Sequence, residues 1–129
     1  MRTIDEKIIA ALRNGNENRL KKLSCRDSVK VEENRIEYYL WDNLIFWYNS
    51  DNEYYFTGRG YNSLTTKNRL NPILYDFLRA YITQKNYKWV LNWNNKEYHI
   101  DATNIFYFKG DKLYKKTAHD EEVLPIENN

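Results

Sequence analysis

Ser63-Leu64-Thr65-Thr66-Lys67-Asn68-Arg69-Leu70-Asn71, preceded by the turn Gly58-Arg59-Gly60-Tyr61, joins an aromatic stretch with strand-like alternation to the one long helical pattern of the second half of the chain. Two hydroxyls stand where that helix should begin. Thr65 or Ser63 is the expected N-cap, because a side-chain oxygen there accepts one of the N–H groups that a first turn leaves without a partner. Leu70, Ile73, Leu74, Phe77, Leu78 and Tyr81 then recur at helical intervals and form a stripe expected to lie across a sheet. Pro72 disturbs this pattern, since it has no N–H and its ring crowds the preceding turn. The helix should kink there or restart with Asn71 as a second N-cap and Pro72 at the first helical position. The restart is favoured, because a residue before proline is steered away from helical backbone angles.

Upstream of the box the period is two. Val29 and Val31 alternate with polar neighbours, and Ile36, Tyr38 and Leu40 do so after Glu33-Asn34. Asp42-Asn43 separates Trp41 from Leu44-Ile45-Phe46-Trp47-Tyr48, and Ser50-Asp51-Asn52 precedes Tyr54-Tyr55-Phe56-Thr57. This predicts an antiparallel meander whose aromatic rows form a packed face and cross-strand pairs, or a base-stacking platform. Downstream, Tyr87, Trp89 and Leu91 alternate up to Asn94-Asn95, and Glu97 to Ile100 return as a partner strand. A second hairpin runs from Ile105-Phe106-Tyr107-Phe108 through Gly110-Asp111 to Leu113-Tyr114-Lys115-Lys116. At the start of the chain, Thr3 and Glu6 have capping-box spacing, and Ile4, Ile8, Ile9 and Leu12 give an amphipathic helix up to Asn14-Gly15-Asn16. Leu20 and Leu23 could extend it, for a helical region of about 4–23.

The predicted fold class is therefore α+β: an N-terminal short helix, an antiparallel β-meander, one longer helix packed on the sheet, and one or two C-terminal β-hairpins. At 129 residues with 42% hydrophobic and 16% aromatic content, one domain is expected over 1–117, its core over about 28–117. Residues 118–129, with Asp120, Glu121, Glu122 and Glu127 and no sustained period, are expected to be a flexible acidic tail. The 20 basic and 14 acidic groups of residues 1–117 leave the body at +6 against −4 in the tail. That balance is compatible with nucleic acid without arguing for it. Cys25 is the lone cysteine, so no internal disulfide or cysteine metal site is expected. No run approaches the roughly 18 apolar residues of a membrane span. The expected setting is the cytoplasm, with no membrane partner and no cofactor.

The box reads Thr65-Thr66-Lys67-Asn68-Arg69-Leu70-Asn71 after Gly60-Tyr61; upstream stands Leu40-Trp41-Asp42-Asn43-Leu44-Ile45-Phe46, and downstream Gln84-Lys85-Asn86-Tyr87-Lys88-Trp89. Over roughly residues 28 to 101 these features resemble a family of small phage-encoded proteins with a T-T-K-x-R-L-N box after a G-W-type turn. That family also shows an L-H-G-N-x-I-A-like turn upstream and Q-K-x-x-x-W downstream. Leu40, Asn43 and Ile45 follow the upstream pattern, and the chain departs at Trp41, Asp42 and Pro72. The resemblance implies a phage or prophage origin and a host-cytoplasmic setting, and brings no activity with it.

The helix start bears on function because its amides carry partial positive charge. Thr65, Thr66, Lys67, Arg69 and nearby Arg59 could complete an anion cradle. Alternatively Thr65 caps, Leu70 packs, Asn71 satisfies backbone, and Lys67 and Arg69 point to solvent. The candidate binding residues are Arg59, Tyr61, Thr65, Thr66, Lys67, Arg69, Asn71, Lys85, Lys88 and Trp89. His99 and Asp101 share a strand face, yet one imidazole and one carboxylate do not make a catalytic or metal site. His119 lies in the tail and no motif surrounds Cys25, so no enzyme activity and no metal are expected. Two binding functions remain. In one, a host or phage protein is bound through an aromatic and polar surface, as a modulator or inhibitor would, or the chain pairs with itself as a homo-oligomer. In the other, aromatic strands stack the bases of a nucleic acid while Arg59, Lys67, Arg69, Lys85 and Lys88 contact phosphates. The acidic tail favours the first.

Overall fold

Five two-residue reversals among the described residues set the strand pattern. Glu33-Asn34 is closed by the Glu32 N–H donating to the Arg35 carbonyl at 2.8 Å. Trp41-Asp42, Asn86-Tyr87 and Asn94-Asn95 have positive φ at both positions, the twist that suits a tight hairpin, and Gly110 (φ 62°) with Asp111 makes the fifth. The flanking registers, Leu40 with Asn43, Lys85 with Lys88, Trp93 with Lys96 and Lys109 with Lys112, follow from these turns. A computed structural model describes residues 2–14, 20–117 and 121–125. The chain is α+β, with a short N-terminal helix, strands, a longer helix and C-terminal strands.

The elements in order are α1 (Thr3–Arg13), β1 (Leu20–Lys22), β2 (Asp27–Val31), β3 (Arg35–Leu40), β4 (Asn43–Asn49), β5 (Tyr54–Phe56) and α2 (Leu64–Leu78). They are followed by β6 (Tyr81–Lys85), β7 (Lys88–Trp93), β8 (Lys96–Ile100), β9 (Ile105–Lys109), β10 (Lys112–Lys116) and β11 (Glu121–Val123). Eight strands form one sheet in the order β1-β2-β3-β4-β5-β9-β10-β11, and β6-β7-β8 form a second, smaller one. All pairings among the described residues are antiparallel. α2 and the small sheet are thus inserted between β5 and β9.

Strand alternation sends Val29, Tyr38, Phe46, Phe56, Phe106 and Phe108 of the large sheet into a common core with Leu70, Ile73 and Leu74 of α2 and Ile8 and Leu12 of α1. Phe77 closes the far end of this layer, with its ring 5.6, 5.2 and 5.8 Å from those of Phe46, Tyr48 and Tyr54. Arg13 lies over the same ring at 4.2 Å and pairs with Asp76 at 2.6 Å, which fixes α1 on α2. Trp93 meets Phe108 edge-on at 4.8 Å and joins the two sheets. Neither helix is long and apolar enough to cross a membrane among the described residues.

Several sequence expectations are corrected. The helix does not restart at Asn71: α2 is continuous from Leu64 to Leu78 through Pro72. Pro72 cannot donate to the Asn68 carbonyl one turn back, and Arg2 Nη2 donates to that carbonyl instead, at 3.0 Å. Tyr81 belongs to β6 and not to the helical stripe, because Arg79 ends the helix in the left-handed region at φ 55°. α1 is capped by Arg2, whose N–H donates to Asp5 Oδ2 at 3.2 Å, so Asp5 and not Glu6 closes the first turn. Helical extension toward residue 23 fails: Leu20–Lys22 form an edge strand on β2, while 15–19 lie outside the described residues. Within the stretch 118–129, expected to be a flexible acidic tail, Glu121–Val123 pair with β10 and Leu124 is buried. Residues 118–120 and 126–129, with Asp120, His119 and Glu127 among them, lie outside the described residues.

Candidate functional site

The loop 57–63 carries the chain from β5 into α2 and is held at several points. Arg59 N–H donates to Thr57 Oγ1 at 3.2 Å, and Gly60 N–H donates to the Ala102 carbonyl at 2.7 Å. Gly58 is required here, since a Cβ would lie 2.7 Å from that of Ala102 and 2.9 Å from the Trp89 ring. Ser63, not Thr65, is the N-cap: its Oγ accepts the Thr66 N–H at 3.2 Å and lies 3.0 Å from the Thr66 hydroxyl. Thr66 is thereby buried, while Thr65 stays exposed.

The start of α2 faces the tip of the β3–β4 hairpin across a cleft of about 480 Å³. It is lined by Ser63, Thr65 and Thr66 at the start of α2, by Trp41 and Asn43 at the hairpin, and by Arg26 and Tyr61. Trp41 N–H donates to the Arg26 carbonyl at 2.8 Å, so the indole and the guanidinium are held on one piece of backbone. Trp41 and Tyr61 are 59 and 60% exposed, two large aromatic side chains in solvent at one opening.

The box residues separate into two groups. Arg69 turns inward, at 5% exposure, and its Nε donates to Asp27 Oδ1 at 2.8 Å. This corrects the expectation that Arg69 projects outward as a phosphate contact. The same carboxylate accepts the Tyr38 hydroxyl and, at 2.5 Å, that of Ser24. Burial works to raise the Asp27 carboxyl, but these donors together outweigh it and hold it below its ordinary value. Burial also pushes the Tyr38 hydroxyl upward, with the adjacent carboxylate adding to the shift. Asn71 is likewise committed to structure: its amide donates to the Ile82 carbonyl at 2.9 Å and accepts the Ile82 N–H at 2.6 Å, as a neighbouring strand would. Trp89, 2% exposed, belongs to the core.

Tyr61, Thr65 and Thr66 line the cleft, while Lys67, next along α2, is half-buried. Arg59 is exposed, with its Nε donating to the Leu44 carbonyl at 2.8 Å. Lys85 and Lys88 are exposed on the β6–β7 hairpin, which Asn62 ties to the loop by a 3.1 Å bond to the Tyr87 carbonyl. His99 is exposed, whereas Asp101 accepts the Thr103 and Asn104 N–H groups at 2.8 Å and shapes the 101–104 turn. Cys25 is exposed.

Sequence reasoning missed Arg26 and Trp41 as cleft residues. Trp41 carried a readable signal, because a bulky side chain in a two-residue turn is forced to φ 50°, a region that favours Gly, Asn and Asp. Arg26 carried none, since its place depends on pairing between β2 and β3.

No curated protein and no solved structure matches the chain. Residues 1–114 match the family model described as Kyanoviridae Gp96 protein. A phage-encoded family is what the sequence resemblance implied, and with nearly the whole chain covered the protein belongs to the Kyanoviridae Gp96 protein family.

Proposed function

We propose that this phage protein acts by binding a host protein, as a modulator or inhibitor in the host cytoplasm, through the cleft between the β3–β4 hairpin and the start of α2. The observation that carries this reading is the position of Trp41. An indole held in a left-handed turn with 59% of its surface exposed is a costly choice for the fold. With Tyr61 and Arg26 it supplies side chains that dominate protein interfaces, aromatic anchors and a guanidinium. The nucleic-acid reading loses Arg69 to the Asp27 pair and Trp89 to the core.

Affinity capture from host lysate, with and without nuclease, tests this. A partner retained after nuclease by the wild-type chain and lost by Trp41→Ala/Tyr61→Ala supports the proposal. Partners that disappear on nuclease treatment would overturn it in favour of nucleic acid.

A further inference from the structure

The two edges of the large sheet are complementary to each other. β1, Leu20-Lys21-Lys22, lies at one edge, and β11, Glu121-Glu122-Val123, at the other; all six residues are exposed. Laid antiparallel, Leu20 meets Val123, Lys21 meets Glu122 and Lys22 meets Glu121.

Backbone geometry accepts this register. Leu23 N–H donates to the Asp27 carbonyl, so alternation along β1 turns the peptide groups of Lys21 toward β2 and those of Leu20 and Lys22 away from it. Leu124 N–H donates to the Leu113 carbonyl, so Glu122 faces β10 while Glu121 and Val123 present their peptide groups outward. The outward residues of each edge therefore lie opposite one another. Shifting the register by two residues preserves hydrogen bonding but sets Leu20 against Glu121 or leaves Lys22 opposite Val123.

One row of side chains also points to the match. Leu20, Lys30, Glu37, Trp47, Tyr55, Tyr107, Tyr114 and Val123 lie directly opposite one another across all eight strands. Within it, Trp47, Tyr55, Tyr107 and Tyr114 stack at 5.2, 4.8 and 4.9 Å. The row ends in an exposed aliphatic residue at each edge, Leu20 at 61% and Val123 at 54%.

We propose that the occupant of each edge is a second copy of this chain, joined head to tail by β1–β11 pairing. Like edges are kept apart, because Lys would face Lys in a β1–β1 pair and Glu would face Glu in a β11–β11 pair. A head-to-tail contact generates a ring or an open array rather than a two-fold dimer. With three residues per strand the contact is small, so association is weak and strengthens with concentration and at low salt.

Sedimentation of the purified chain over a concentration series at low and high salt gives the first test, with reversible association at low salt expected. Lys21→Glu/Lys22→Glu and Glu121→Lys/Glu122→Lys should each be monomeric, and mixing them should restore association because each then carries the other's missing edge. Glu121 also accepts the Tyr107 hydroxyl, so Lys22→Pro serves as a second variant. It removes an outward N–H without touching a ladder bond and should abolish association with melting unchanged. A wild-type chain that stays monomeric up to about 1 mM, the edge of weak affinity, overturns the proposal. So does association that survives both charge reversals.

Discussion

Arg69 Nε lies 2.8 Å from Asp27 Oδ1, and the two side chains are 5 and 0% exposed, so α2 and β2 are joined by an ion pair sealed from water. Both charges are stripped of solvent, and removing one partner leaves the other uncompensated. Arg69→Ala is expected to cost about 3 to 5 kcal/mol in urea unfolding. Arg69→Met with Asp27→Asn should recover a large part of this, because no isolated charge then remains. A loss below about 1 kcal/mol for Arg69→Ala, the scale of an exposed pair, would remove the pair from the account of stability.

The same carboxylate sets a pH dependence. Its folded-state value is held below the ordinary 3.8, so its contribution is complete above that pH and is lost as pH falls further. Tyr38 and Tyr107 shift the opposite way, both raised by burial and then by a neighbouring carboxylate, Asp27 and Glu121 respectively. Their contribution is complete below the ordinary 10.0 and is lost at higher pH. Melting temperature against pH should be a plateau with an acid and an alkaline limb. Asp27→Asn should flatten the acid limb, and an unchanged acid limb in that variant would rule out Asp27 as its source.

Pro72 and Arg2 should be coupled. Arg2→Ala leaves the Asn68 carbonyl without its donor and also removes the 3.1 Å pair with Asp5. Pro72→Ala returns an N–H to that carbonyl. In a double-mutant cycle, Arg2→Ala should therefore cost less in the Pro72→Ala background, by about 0.5 to 1.5 kcal/mol, the usual worth of one hydrogen bond. Additive effects would show that the two residues act independently.

Capping distinguishes the two hydroxyls that the sequence leaves open. Ser63→Ala should cost about 1 kcal/mol, because Ser63 accepts the Thr66 N–H, whereas Thr65→Ala should be near neutral. Chemical denaturation of the two variants side by side decides this, and equal losses would place a capping role on Thr65 as well.

What could be read from the sequence was local. The alternation around Phe46 and Trp89 and the turn residues Asn94-Asn95 and Gly110-Asp111 mark strands and hairpins directly, and the stripe Leu70, Ile73, Leu74 marks α2. What was missed depends on partners distant in the chain. Arg69 looked like a solvated cation because Asp27 is 42 residues away, and Pro72 looked like a break because its compensating donor is 66 residues from Asn68. β1 and β11 are three residues each with no apolar alternation, so only the neighbouring strand identifies them. The cleft was half visible: Tyr61 came from the turn before the box and Thr65 and Thr66 from the box itself, while Trp41 and Arg26 entered through the β2–β3–β4 pairing.

Trp41 provides the most direct test of a trade between fold and function. Its φ of 50° lies in a region where an L side chain other than Asn or Asp is strained, and 59% of its surface lies in water. Trp41→Asn keeps the left-handed turn with a residue suited to it, so stability should rise by up to about 1 kcal/mol, the lower end of the strain such positions store. The same substitution removes the largest apolar surface at the cleft and should weaken partner capture by an order of magnitude or more, the scale of an interface hot spot. Stability and binding should thus move in opposite directions in one variant, read by thermal melting and by quantitative capture of the partner retained after nuclease. If Trp41→Asn is instead destabilising, the indole is packing on the hairpin. If it is stabilising but binds as well as wild type, the cleft is not the contact surface.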